Sequence, residues 1–110
     1  MADYKHYITQ TQENGNVMIS EDVIAAIAEH ALNDVEGVAL LRDIKNWNKG
    51  IKILIAEDNS VTISMNITVT FGLSVVEAAA NAQNAVTASV ENRTGVKVIE
   101  VNVNICGIAK

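Results

Sequence analysis

The sequence predicts an α+β protein, a two-layer sandwich in which two helices pack on one face of a small, largely antiparallel sheet, in the order β-α-β-β-α-β. Two segments repeat apolar residues at three- and four-residue spacing, as amphipathic helices do. Other segments alternate apolar and polar residues, which is typical of strands with one buried face. The chain has 110 residues, which is enough for one packed core and too few for two. A two-layer sandwich buries both kinds of apolar face at once.

The first part of the sequence predicts a flexible arm followed by the start of the domain. Residues 1–15 are polar and lack apolar periodicity, so we expect an arm there and a single domain over residues 16–110. After a short strand, Ser20 is suited to cap the first helix. The apolar stripe of this helix consists of Ile24, Ile27, Ala28, Ala31 and Val35. Gly37 follows the stripe and is predicted to end the helix.

The middle of the sequence predicts a β-hairpin. Residues 38–50 show no clear period and are interpreted as an irregular connection. Apolar residues then alternate in two runs separated by Asp58 and Asn59, which suit a tight turn. The residues of the second run that are expected to point inward are Val61, Ile63, Met65, Ile67, Val69 and Phe71. The hairpin therefore offers one face to the core.

The last part of the sequence predicts a second helix and a final strand. Ser74 and Glu77 have the spacing of a capping box, and the helix that they begin is expected to end at Thr94 and Gly95. Its apolar stripe consists of Val75, Ala79, Ala82, Val86 and Val90. The inward residues of the final strand are predicted to be Ile99, Val101, Val103 and Ile105. This pattern leaves the order of the strands in the sheet open.

The polar face of the hairpin is the first candidate functional surface. Its residues carry no charge, and two asparagines of the final strand extend it. These residues are Thr62, Ser64, Asn66, Thr68, Thr70, Asn102 and Asn104. Antiparallel sheets commonly leave one face in water, so a solvated face is one interpretation. Charged residues normally protect sheets from association, and their absence here favours the other interpretation, an assembly surface.

The acidic residues of the first helix are the second candidate. Glu29 lies on the side of the helix away from the apolar stripe and Asp34 lies at the edge of the stripe, in a region where acidic residues outnumber basic ones. Negative charge keeps small domains soluble, and this is the simpler interpretation. The alternative is electrostatic docking to a membrane partner, because basic residues are enriched on the cytoplasmic flanks of membrane-spanning helices.

The overall composition excludes several classes of partner. The formal net charge is −5 and the sequence pI is about 4.8, which argues against nucleic-acid binding. Acidic proteins are also repelled by anionic lipid surfaces. No apolar run is long enough to cross a bilayer. We therefore expect a cytoplasmic protein without direct membrane insertion.

The reactive residue types predict no catalytic residue, cofactor or metal site. His6 falls in the predicted arm and His30 on the polar side of the first helix. Cys106 is expected to be a buried or half-buried structural thiol, because no basic residue adjoins it in sequence. Metal-ligand spacings and phosphate-binding glycine loops are missing from the sequence. An enzyme is therefore disfavoured.

Four segments resemble one known family. They are residues 15–38, the TVTFG run that ends at Gly72, the pair Gln83 and Asn84, and residues 91–108. In this order and spacing they resemble the alkaline shock protein family, also called the general stress protein family of Gram-positive bacteria. The residues that carry the family signature are Gly37, Gly72, Gln83, Thr94, Gly95 and Asn102.

The resemblance implies a non-enzymatic, cytoplasmic envelope stress response protein. It implies a homo-oligomer and, as in some members, a separate membrane-anchored partner that holds the protein near the membrane. No catalytic residues are implied. A regulator of envelope or lipid homeostasis that binds a small molecule or lipid precursor is the alternative function, and it would require an apolar pocket.

Overall fold

The computed structural model describes residues 5–41 and 50–109, which form an α+β fold as predicted. The order in these ranges is β-β-α-β-β-β-α-β, so two strands are added to the predicted order. The elements are β1 (Tyr7–Gln12), β2 (Gly15–Ser20), α1 (Glu21–Asn33), β3 (Val38–Leu40), β4 (Ile51–Ile55), β5 (Val61–Thr70), α2 (Val75–Thr94) and β6 (Val98–Ala109).

The sheet is organised around β5, its longest internal strand. β3 and β4 both pair antiparallel with one edge of β5, β4 with residues 61–65 and β3 with residues 67–69. β6 pairs parallel with the other edge. The parallel pairing follows from α2, which carries the chain back to the starting end of β5 before β6 begins.

The strand β3 corrects the expectation of an irregular connection over residues 38–50. Its three residues pair with β5, and a strand this short shows no period in a sequence. The Leu41 amide donates to the Asn66 carbonyl, and the Asn66 amide donates to the Gly50 carbonyl, both at 2.8 Å. The chain therefore leaves the edge of β5 at Leu41 and returns to it at Gly50, and both residues bond to Asn66. The rest of the predicted connection, residues 42–49, lies outside the described residues.

The N-terminal hairpin corrects the expectation of a flexible arm. β1 pairs antiparallel with β2, and Ile8 is 1% exposed. The Lys5 amide donates to the Ile55 carbonyl at 2.9 Å, and the Gln10 side chain donates to the Thr94 carbonyl at 2.7 Å. Within residues 5–15 the prediction is wrong, because one buried isoleucine and contacts distant in sequence produce no periodic signal. Residues 1–4 lie outside the described part.

The core lies between the sheet and both helices, as predicted. The buried side chains of β5 alternate along the strand and are Val61, Ile63, Met65, Ile67 and Val69. They meet Ile24, Ala28 and Leu32 of α1 and Ala78, Ala82, Val86 and Val90 of α2. The alanines let the helices approach the sheet closely, while the β-branched strand residues fill most of the volume.

The helix boundaries confirm most of the predicted capping. The hydroxyls of Ser20 and Ser74 accept hydrogen bonds from the third amide that follows each, both at 3.3 Å. Gly95 is the C-cap of α2, with a left-handed φ of +73°. The prediction for Gly37 is wrong in position, since α1 ends at Asn33 with Asp34 as its C-cap. Gly37 instead lies just before β3, also with a positive φ.

Candidate interaction surfaces

The structure brings the predicted polar residues together on the open face of the sheet, the face opposite the helices. Thr62, Ser64, Asn66 and Thr68 are partly exposed, and Thr70 is exposed. Register aligns Asn102 with Ser64 and Asn104 with Asn66. The Asn104 side-chain amide donates to the Asn66 side-chain carbonyl at 3.1 Å, a link that the sequence did not predict.

Two charged residues border this open face near its middle and its starting end. Lys52 of β4 lies opposite Ser64, and Glu100 of β6 lies beside Thr62. The face is therefore uncharged along β5, as predicted, but not across its full width. These neighbours depend on strand register, which the sequence pattern leaves open. Beside Thr68 the register places only the small residues Ala39 and Gly107.

The acidic residues Glu29 and Asp34 lie on α1, on the other side of the sheet from the open face. Glu29 is partly buried, and the exposed Asp34 is the C-cap of α1, where its amide donates to the Ala31 carbonyl at 3.1 Å. The structure thus does not join the two predicted surfaces into one site.

A cleft of about 240 Å³ lies between α1 and α2, and sequence reasoning did not predict it. Its lining is Ala26, Ile27, His30, Ala31, Asp34, Ser89 and Arg93. Three of these side chains are ionisable and one is a hydroxyl. The cleft therefore presents polar groups of both charges beside a short apolar strip.

The family-signature residues Gln83 and Thr94 connect or terminate elements. The Gln83 side-chain amide donates to the Val101 carbonyl of β6 at 3.1 Å. The Thr94 hydroxyl donates to the Val90 carbonyl at 2.6 Å and accepts from the Val96 amide at 3.1 Å, which closes the end of α2. Asn102 differs from these residues, because it is exposed on the open face.

The end of the molecule where β5 and β6 finish carries an apolar patch that the sequence did not predict. Phe71, expected to point inward, is 72% exposed, and Val76 is 79% exposed. Leu73 and Ile108 are also exposed there. Phe71 comes directly after the last paired residue of β5, so the alternation that predicted its burial ends one residue too early.

Two other residues of β6 also depart from expectation at irregularities of register. Ile99, predicted to point inward, is exposed where the pairing shifts between Val98 and Glu100. Cys106, expected to be at least half buried, is an exposed free thiol at a second shift, between Ile105 and Gly107. Such bulges reorient side chains without leaving a sequence signal of their own.

Within the part of the chain that the structure describes, no group of three or more acidic, histidine or cysteine side chains is arranged to hold a metal ion. In the same residues, no helix is long and apolar enough to span a membrane.

The fold defines a small α+β protein whose candidate interaction surfaces are the open face of the sheet, the cleft between the helices and the apolar patch around Phe71. The family model for the alkaline shock protein 23 family, described as having a cell envelope-related function, matches residues 9–110. The chain belongs to this family, which confirms the resemblance inferred from its sequence.

The chain is similar to two uncharacterized bacterial proteins. It is 34% identical over 105 residues to the protein YqhY of Bacillus subtilis (strain 168), a match that covers 86% of this chain and 77% of that protein. It is 29% identical over 106 residues to the protein Spy1535 of Streptococcus pyogenes serotype M6, with 89% and 82% covered. No solved structure matches the chain.

Proposed function

We propose that this protein is a non-enzymatic adaptor of the cell-envelope stress response. In this proposal it acts in the cytoplasm, self-associates, and is held near the membrane by a membrane-anchored protein. Membership of a family with a cell envelope-related function supports the envelope role. The adaptor role rests on the open face of the sheet, where the polar side chains that β5 exposes to solvent carry no charge.

The open face is proposed as the surface for self-association. A negatively charged chain repels its own copies least where it carries no charge, and the part of the face near Thr68 meets that condition. The Asn66 and Asn104 side chains offer further amide groups for hydrogen bonds between copies. Contacts of this kind are polar, and water competes for them, so we expect reversible association.

The double variant Thr62→Lys with Asn66→Lys tests this surface by light scattering. We expect it to lower the mass of the assembly, because like charges then face each other between copies. The variant Asn33→Lys with Asn92→Lys adds the same charge at exposed helix positions and should leave the assembly unchanged. If the open-face variant assembles as the parent does while both remain folded, self-association through this face is wrong.

The membrane-proximal part of the proposal is tested by fractionating cells that produce the protein. We expect it in the membrane fraction only while its partner is present, and in the soluble fraction after high-salt washing.

The alternative function, a regulator that binds a lipid precursor, receives less support. The cleft between α1 and α2 has a short apolar strip, and the polar side chains of His30, Asp34 and Arg93 line the cleft beside it. An acyl chain would desolvate these polar groups without replacing their hydrogen bonds.

A further inference from the structure

We infer that the end of the molecule around Phe71 docks a basic amphipathic segment of the membrane-anchored partner, an inference that rests on the proposed function. The docking end consists of Phe71, Leu73, Val76 and Ile108. Several contacts hold Phe71, Leu73 and Ile108 at one place, and Val76 follows in the first turn of α2. The Phe71 amide donates to the Ala109 carbonyl at 2.7 Å, and Ile108 pairs with Val69. The Leu73 amide donates to the Thr70 carbonyl at 3.2 Å, and its side chain lies against Gly37.

The exposed apolar side chains at the docking end do not contribute to the core of the domain. Phe71 is the one phenylalanine of the chain, and 72% of it faces solvent, while aliphatic residues and one methionine form the core. Val76, at 79%, is still more exposed on the first turn of α2. Contiguous exposed apolar residues on a soluble domain mark interaction surfaces. Aromatic residues are also enriched among those that contribute most to protein–protein binding.

The charged residues that the structure describes beside the docking end are acidic. Glu36 precedes Gly37, which lies against Leu73, and Glu77 follows Val76 in the first turn of α2, and both are exposed. The described basic residues lie elsewhere. Lys5 and Lys97 are near the start of β5, Arg93 is in the last turn of α2, and Lys52 is opposite Ser64. An apolar patch with an acidic border therefore faces solvent at this end.

The chemistry that fits this arrangement is a segment with apolar residues on one side and lysine or arginine beside them. Basic residues of this kind flank membrane-spanning helices on the cytoplasmic side. A bare lipid surface fits less well, because its anionic headgroups would meet Glu36 and Glu77. A second copy of the same end fits less well too, since a two-fold contact would set like charges against each other.

The first experiment measures binding of a fluorescein-labelled synthetic helix of leucine and lysine to the full chain by fluorescence anisotropy. We expect Phe71→Ser or Val76→Ser to weaken binding about tenfold, which corresponds to losing one strong apolar contact. Met18→Ser is the matched control, because Met18 is 62% exposed on the hairpin at the other end, and it should leave affinity unchanged. Thermal melts establish that each variant is folded.

The second experiment tests the charges. Glu36→Gln with Glu77→Gln should weaken binding and flatten its salt dependence, whereas Glu13→Gln with Asp22→Asn removes equal charge distant from the patch and should change neither. A helix of leucine and glutamate should not bind. Equal effects of the two double variants, or equal binding of the two helices, would overturn the inference.

The other occupants give distinct results. If Phe71→Ser lowers the mass of the assembly and leaves peptide affinity unchanged, the patch is a contact between copies and the inference is wrong. If the parent sediments with anionic phosphatidylglycerol vesicles and Phe71→Ser does not, the patch meets lipid and the inference is again wrong. The Thr62→Lys with Asn66→Lys variant should bind the peptide normally, so self-association and docking can fail separately.

Discussion

The Gln83 side chain of α2 donates a hydrogen bond to the Val101 carbonyl of β6, 3.1 Å away, and so joins a helix to an outer strand of the sheet. Glu91 of the same helix accepts from the Val98 amide at 3.0 Å. Among the described residues β6 pairs with β5 alone, which leaves the opposite edge with backbone groups that could pair with another chain. Two side chains of α2 thus reach the first residues of that strand.

Removing the Gln83 amide should destabilise the domain modestly. Gln83→Ala loses one partly solvated hydrogen bond, so we expect a cost of about 0.5–1 kcal/mol in urea unfolding. Asn84→Ala is the control for loss of an exposed amide beside Gln83, and it should stabilise the domain slightly, because alanine has a higher helix propensity than asparagine. Unchanged or increased stability of Gln83→Ala would mean that the contact with Val101 contributes nothing.

Replacing the buried isoleucine of the hairpin should show that β1 belongs to the folded domain. Ile8 is 1% exposed and lies in the core cluster, so Ile8→Ala should cost about 2–4 kcal/mol. Thr9→Ala, at an exposed neighbouring position, should cost less than about 0.5 kcal/mol. Thermal unfolding of both variants measures the difference, and a loss below about 1 kcal/mol for Ile8→Ala would restore the arm that the sequence predicted.

Two glycines with similar backbone angles should respond differently to alanine. Gly50 and Gly95 have φ of +82° and +73°, so each alanine variant pays roughly 1 kcal/mol for the left-handed backbone. A β-carbon at Gly50 would also collide with the Leu41 carbonyl, whereas at Gly95 the nearest atom is the Gln10 side-chain nitrogen at 3.7 Å. Chemical denaturation should therefore find Gly50→Ala the less stable variant. Equal losses would contradict the close approach of Gly50 to Leu41.

The turn between β4 and β5 should make stability depend on acid. The Ser60 hydroxyl, at 2.6 Å, and the Ser60 amide, at 3.0 Å, donate to the Asp58 carboxylate and hold the pKa of Asp58 below its usual value of 3.8. A lowered pKa stabilises the folded state above the pKa of the unfolded chain, and this contribution disappears as pH falls through the folded pKa. Asp58→Asn should therefore be less stable than the parent at neutral pH, with the difference shrinking in acid.

Thermal melts from about pH 7 to about pH 2 measure this dependence. Glu57→Gln is the control, because it removes the adjacent carboxylate and leaves the Ser60 hydrogen bonds in place. A difference between Asp58→Asn and the parent that stays constant across the range would rule out the contribution of the ionised carboxylate.

The alternation of apolar and polar residues predicted one candidate surface, the open face, but not the docking end around Phe71. Alternation along β5 placed Thr62, Ser64 and Asn66 on one face, because side-chain direction in a strand has a strict period of two. The same rule extended to Phe71 fails, since the rule holds only while pairing lasts. The acidic border at Glu36 and Glu77 joins a turn and a helix that are distant in sequence, and no local pattern connects them.

The sequence by itself determined the α+β class, both helices, the serine caps, the core face of β5 and the family, because each depends on residues near one another along the chain. Only the tertiary structure decided that residues 7–12 form a strand, that β6 runs parallel to β5, and that Lys52 and Glu100 border the open face. The strand over residues 7–12 depends on the burial of Ile8 and on the contact of Gln10 with Thr94, and the other features depend on pairing between distant segments. The free energy of such pairing comes from burial and backbone hydrogen bonds that form only when the whole chain is assembled.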